Sequence, residues 1–131
     1  MEHTPSDQID RVKAPEENFT GDVEFGPLSN VEPDGLNALE VHFQPGARTD
    51  WHRHPNGQVL YVLAGEGLVQ NAAGERVEIA TGDVVYASPD ELHWHGASAH
   101  SHMSHLSLTT GGATQWEPRK VTDEEYDGPT S

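Results

Sequence analysis

Gly46–Gly65, GARTDWHRHPNGQVLYVLAG, is the stretch on which the reading of this chain turns. It holds His52, His54 and Gln58, with a glycine at either end. His52 and His54 are two apart, so in an extended segment both imidazoles leave the same face and can reach one ion. Pro55-Asn56-Gly57 has the residue types that redirect a chain and bring the Gln58 amide oxygen round. A second glycine-led segment, Gly82–His93, GDVVYASPDELH, supplies His93 from a separate strand. In a chain of strands, this set reads as one metal site with three imidazoles and an amide oxygen.

The rest of the chain is read outward from there. Phe19–Phe25 offers a first short strand, followed by a loop from Pro27 to Gly35. Leu36–Phe43 alternates, with Leu39, Val41 and Phe43 on one face and Glu40 and His42 on the other. Val59–Ala64 is a short apolar strand. Turn signals at Gly65-Glu66-Gly67 and Ala72-Ala73-Gly74 bracket Leu68–Asn71, and Thr81-Gly82-Asp83 separates strands at Val77–Ala80 and Val84–Ala87. Met103–Thr109 alternates again: Leu106 and Leu108 face one way, and Met103, His105, Ser107 and Thr109 the other. Thr122–Glu125 matches a capping box and predicts a short C-terminal helix. Thirteen Gly and nine Pro suit short strands joined by tight turns, hence an all-β sandwich or small barrel. Residues 1–18 are polar and are expected to form a flexible N-terminal arm, with 19–131 as one domain.

Composition bounds the partners. A chain of 131 residues suffices for one core without staples, and the absence of Cys rules out disulfides and thiolate ligands. The net charge is −15, with 22 acids spread along the chain and Lys13 and Lys120 the only lysines. Nucleic acid is excluded as a partner, because little here could neutralise phosphates. The dispersed acidity fits either a high-salt adaptation or an ordinary acidic protein. No apolar run reaches a membrane span and no basic, apolar leader opens the chain, so no membrane partner and a cytoplasmic location are expected.

With those residues in place, the chain resembles the cupin family. The first cupin pattern, G-x5-H-x-H-x3-E-x6-G, is met by Gly46, His52, His54 and Gly65, with Gln58 at the acidic position. The second, G-x5-P-x-G-x2-H-x3-N, keeps Gly82 and His93, while Ser88, Asp90 and Ala97 replace the usual Pro, Gly and Asn. The resemblance implies a single-domain jelly-roll β-barrel with its core over about 36–110. FQPGARTDWHRHPNGQ, GDVVYASPDELHWHGA and MSHLSL, with NFTG at Asn18–Gly21 and Trp116-Glu117…VTDEEY, look similar to small cupins that include manganese-dependent hydroxynitrile lyases acting on mandelonitrile. That likeness implies a metal held by His52, His54, Gln58 and His93. It also puts His95, His105 and Thr49 in the pocket as catalytic residues, and it implies a homodimer, to which the N-terminal segment could contribute a strand.

The chemistry is consistent. Three imidazoles and an amide are neutral, so a divalent ion keeps its full charge, which suits polarising an oxygen or binding an anion. Such ligands suit Mn, Fe, Ni or Zn, with Mn2+ favoured by the resemblance. His95 lies two after His93 and points the same way; either His95 or His105 could act as general base on a small-molecule substrate. The expected function is a metal-dependent lyase cleaving or forming cyanohydrins or related carbonyl adducts. The alternatives are an Fe(II) dioxygenase and a non-catalytic metal- or ligand-binding barrel. His42, His100, His102 and His3 are expected outside the site. Trp51, Trp94 and Trp116 are expected to be packing residues, and Arg48 a salt-bridge partner.

Overall fold

The chain forms twelve strands, a single 3-10 turn at Ser6–Gln8 and one α-helix in the computed structural model, which describes residues 1–29 and 35–129. The strands are β1 (Val12–Lys13), β2 (Phe19–Thr20), β3 (Val23–Pro27), β4 (Leu36–Phe43), β5 (Arg48–Thr49), β6 (His52–Arg53), β7 (Gln58–Asn71), β8 (Arg76–Ala80), β9 (Val84–Ala87), β10 (His93–Ala97), β11 (Met103–Thr110) and β12 (Gln115–Trp116). The helix α1 is Asp123–Asp127. The strands pair in the order β1-β3-β4-β11-β7-β10-β5-β2; β8 and β9 join β7, and β6 pairs with β10 and β12. The result is an antiparallel sheet curled on itself, the jelly-roll barrel expected. Most of the loop expected over 27–35 falls on 30–34, outside the described residues.

β7 holds the two halves together. Its first part pairs with β11 and β9, and its second with β10 and β8. The sequence suggested a turn at Gly65-Glu66-Gly67, but the strand runs straight through. Gly65 sits at φ 80°, and a Cβ there would lie 1.9 Å from the His102 carbonyl oxygen. Its glycine therefore serves a close backbone crossing at the corner between sheets, not a chain reversal. Gly21 acts similarly. At φ 86° against Ala47 it breaks the expected Phe19–Phe25 strand into β2 and β3, which pair with β5 and β4 respectively.

Residues 12–14 of the expected arm are laid on the barrel. Val12 and Lys13 pair with Phe25 and Glu24, and Ala14 is buried, its N–H donating to the Val23 carbonyl. Composition hid this because a two-residue edge strand needs few apolar side chains.

The interior has two apolar clusters. Phe19, Val23, Val41, Phe43, Leu60, Val62 and Met103 fill the barrel, and Trp51, Leu68, Trp94, Val121 and Tyr126 pack under α1. The capping box is present: Thr122 accepts from the Glu125 N–H, and Glu125 accepts from the Thr122 N–H. Tyr126 donates to the Ala97 carbonyl at 2.6 Å, and the Arg48 guanidinium lies 4.7 Å from its ring centre. Arg48 is buried, donating to the Val121 carbonyl and the Asp123 carboxylate, which fixes α1 to β5. Among the described residues, no helix is long and apolar enough to cross a membrane.

Candidate metal centre

Strand alternation and register bring the expected residues together. His52 on β6 pairs with His93 on β10, so the two rings lie 4.5 Å apart between centres. His54 follows β6 with its ring 5.1 Å from His52, and Gln58 opens β7. On β11 the polar face turns inward. His105 and Ser107 are buried, while Leu106 and Leu108 lie on the half-buried outside. His95 faces His105, with its Nδ1 3.1 Å from the His105 Nε2. Five buried histidines thus share one end of the barrel.

The rings are oriented from behind. His52 donates through Nδ1 to the Asp50 carbonyl at 2.8 Å, and His93 through Nδ1 to the Glu91 carbonyl at 2.8 Å. The His54 Nδ1 faces the Thr114 hydroxyl at 3.4 Å. All three have oxygen at Nδ1, leaving Nε2 free to face the other side, the arrangement of metal-binding histidines. His95 differs, because another imidazole occupies its Nδ1.

Electrostatics keep these rings neutral. Burial is the largest cause throughout. It pushes His52 and His95 well below the usual histidine value, with further lowering from neighbouring imidazoles. His54 falls to about 4 and His105 to about 3, and His93 is also lowered. Neutral His93, with its proton on Nδ1, points a lone pair at the Gln58 amide oxygen 3.0 Å away. Two acceptors so placed repel unless a cation lies between them. A spacing of about 3 Å is what two ligands at roughly 2.1 Å from one ion subtend at a right angle. The buried Nε2 of His54 has no hydrogen-bond partner, nor has that of His95. The residues therefore fit a divalent metal. By distance alone, His52, His93 and His95 form a three-nitrogen group within 4.8 Å. Distance thus groups His95 with His52 and His93, whereas the atoms behind the rings, oxygen at His54 and an imidazole at His95, group His54 with them instead.

A cavity of about 630 Å³ opens onto this cluster. Thr49, His52, His54, Gln58, His95 and His105 line its polar end, and Phe19, Phe25, Leu39, Val41 and Trp116 its apolar walls. Among the described residues that line it there is no Asp, Glu, Lys or Arg. Thr49 donates to the Asp50 carbonyl at 2.9 Å and accepts from the His95 backbone N–H at 3.3 Å.

His42 lies outside the cavity, bonded to Ser104 and Glu40, and His100 and His102 are exposed in the turn before β11. Trp51 and Trp94 are buried packing residues, and Arg48 is a structural ion-pair partner. Trp116 goes further than packing. β12 pairs with β6 so that Trp116 is opposite His52, its ring 4.8 Å away, and it forms a cavity wall. Nothing in the local sequence around Trp116 signals this. Ser107, which accepts from the Gln58 amide at 2.8 Å, was within reach through its alternation with His105.

Comparison with known proteins agrees with this geometry. The sequence model described as "Cupin domain" matches residues 39–109. The chain is 47% identical to the (R)-mandelonitrile lyase of Granulicella tundricola, over 87% of this chain and 89% of that one. A cupin-like protein of Thermotoga maritima superposes with a TM-score of 0.82 at 37% identity, covering 87% of this chain and 89% of that one. The polyketide cyclase RemF of Streptomyces resistomycificus shares the fold, with a TM-score of 0.76 at 15% identity over 97% of this chain and 91% of that one. A histidine-lined barrel mouth, a family match over more than half its length and a relative at 47% identity together place the chain in the cupin family.

Proposed function

We propose that this cupin is a metal-dependent lyase that cleaves small cyanohydrins into an aldehyde and hydrogen cyanide, or runs the reverse addition. The observation that carries it is the converging pair of acceptors, His93 Nε2 and Gln58 Oε1, of which Gln58 lines a cavity with no charged side chain among its described lining. The name of the Granulicella tundricola relative supports the choice of reaction. His52, His54, Gln58 and His93 would hold one divalent transition metal, with Mn2+ favoured. Bound by four neutral ligands, that ion would act as a Lewis acid with its full charge available.

The chain's own residues supply the rest. In the tautomer that donates Nδ1–H to His105, His95 presents a bare Nε2. That nitrogen takes the substrate's hydroxyl proton. The O–H electron pair becomes the second carbonyl bond, and the C–CN pair leaves with cyanide. His95 returns the proton to cyanide, and the aldehyde departs. His105 steadies the imidazolium formed on His95, much as a third member orients a catalytic base. Thr49 acts by positioning, tying the His95 backbone to β5. Phe19, Phe25 and Trp116 offer rings to an aryl substituent. The uncharged lining favours a neutral substrate. A homodimer is part of the same reading.

The test is cyanide release from mandelonitrile by metal-stripped protein before and after Mn2+ is restored. Release that returns with Mn2+ is expected. No release above buffer from the loaded protein, or oxygen uptake in its place with a catechol, thiol or diketone and iron, would overturn the lyase reading.

A further inference from the structure

We propose that Ser107 is a positioning residue that holds the Gln58 amide with its oxygen toward the metal by accepting from the amide nitrogen. This rests on the reading of Gln58 as a ligand. An amide has unlike ends. Its oxygen can ligate a cation, whereas its nitrogen carries two protons that repel one. A carboxylate at the same position has no such choice to make. A glutamine ligand therefore needs an acceptor for its nitrogen, and a buried protein acceptor fixes it where a mobile water would not.

Ser107 meets each requirement. It lies on the inward face of β11, one alternation beyond His105, and is registered with Leu60 of β7. Its Oγ accepts from the Gln58 Nε2 at 2.8 Å, while the Gln58 Oε1 lies 3.0 Å from the His93 Nε2 at the opposite end of the amide. Gln58 is 4% exposed and Ser107 7%, so the bond between them is largely shielded from bulk solvent even though both border the cavity. Without the hydroxyl, placing the oxygen on an ion leaves a buried amide nitrogen unpartnered. Outer partners of this kind typically change metal affinity by about 10- to 100-fold.

The experiment titrates Mn2+ into the metal-stripped full chain and reads free ion by its electron paramagnetic resonance signal. Ser107→Ala is expected to weaken binding by about tenfold or more, and Ser107→Thr, which keeps the hydroxyl, to stay near the wild type. In a Gln58→Ala background, adding Ser107→Ala should cost less than about threefold, because its route to the ion has gone. Undiminished affinity in Ser107→Ala would overturn the proposal and leave the metal centre standing. So would an equal loss in the Gln58→Ala background, or failure of Ser107→Thr to retain binding. If the wild type takes up no Mn2+, or if Gln58→Ala binds as tightly as the wild type, the ligand reading itself fails and the proposal with it.

Discussion

His54 and His95 each bring a buried, unpartnered Nε2 to the cavity, and what separates them is the group behind the ring. Oxygen stands behind His54, and another imidazole behind His95. His54→Ala should therefore lose bound metal. His95→Ala should keep about one equivalent yet lose activity by roughly 10²- to 10⁴-fold. Metal analysis beside cyanide release checks both, and the opposite pattern would exchange their roles. The same burial predicts acid sensitivity in the metal-free protein. His105 takes up a proton at about 3 when folded, and an unfolded histidine does so near 6.5. Between those values the unfolded chain binds more protons. Stability from this group is thus full above about 6.5 and falls as pH drops toward 3, by on the order of 2 kcal/mol at pH 5. His54, lowered to about 4, adds in the same direction. Urea midpoints of the metal-free protein at about pH 7.5 and pH 5 should show the loss. Equal midpoints would mean that the histidines are not buried as neutral rings.

At the scale of elements, β12 and β7 carry the sharpest predictions. β12 brings Trp116 over His52 and against Phe19, at 4.8 and 5.6 Å between ring centres. Trp116→Ala should reduce kcat/KM for an aryl cyanohydrin by about tenfold or more, and for a short aliphatic one much less, since an aromatic contact contributes roughly 0.5–1.5 kcal/mol beyond its buried area. Equal losses on both substrates would make Trp116 a packing residue only. On β7, Gly65→Ala forces a Cβ into the His102 carbonyl at a positive φ and should destabilise the fold by more than about 2 kcal/mol, read by denaturant titration. These two elements also mark the limits of sequence. His52, His54 and His93 were legible because period-two spacing and framing glycines are local. The capping box at Thr122 was legible for the same reason. Gly65 misled because a glycine at a turn and one at a backbone crossing look alike in a sequence. β12 lies some 60 residues from the strand it pairs with, so no local pattern announced that Trp116 would wall the site. The inward turn of β11 is a tertiary choice: its leucines, the more apolar face, went outside, and the barrel mouth took His105 and Ser107.

For the whole molecule, charge and surface set the conditions. A net charge of −15 with seven basic residues repels itself wherever salt does not screen it. Tm is expected to rise by several degrees between salt-free buffer and about 1 M NaCl, and full stability without salt would remove the high-salt reading. Against that acidity, β9 and the first part of β7, residues 58–65, carry no charged side chain. Val84, Tyr86, Tyr61 and Leu63 are exposed there, and Tyr61 pairs with Val84 and with Leu106. A second acidic copy can approach with least repulsion on such a face, which favours the homodimer. Light scattering should give twice the chain mass, reduced to the single-chain mass by Val84→Lys/Tyr86→Lys; a wild type of single-chain mass would remove the dimer. The claim on which the rest depends is that this barrel mouth holds a metal through its histidines. Elemental analysis of the purified protein, beside a His52→Ala/His54→Ala variant, tests it most directly. The account predicts about one equivalent of a divalent transition metal in the protein and none in the variant. No metal in either, even after supplementation with Mn2+, would contradict it and leave a barrel whose clustered imidazoles serve some other ligand.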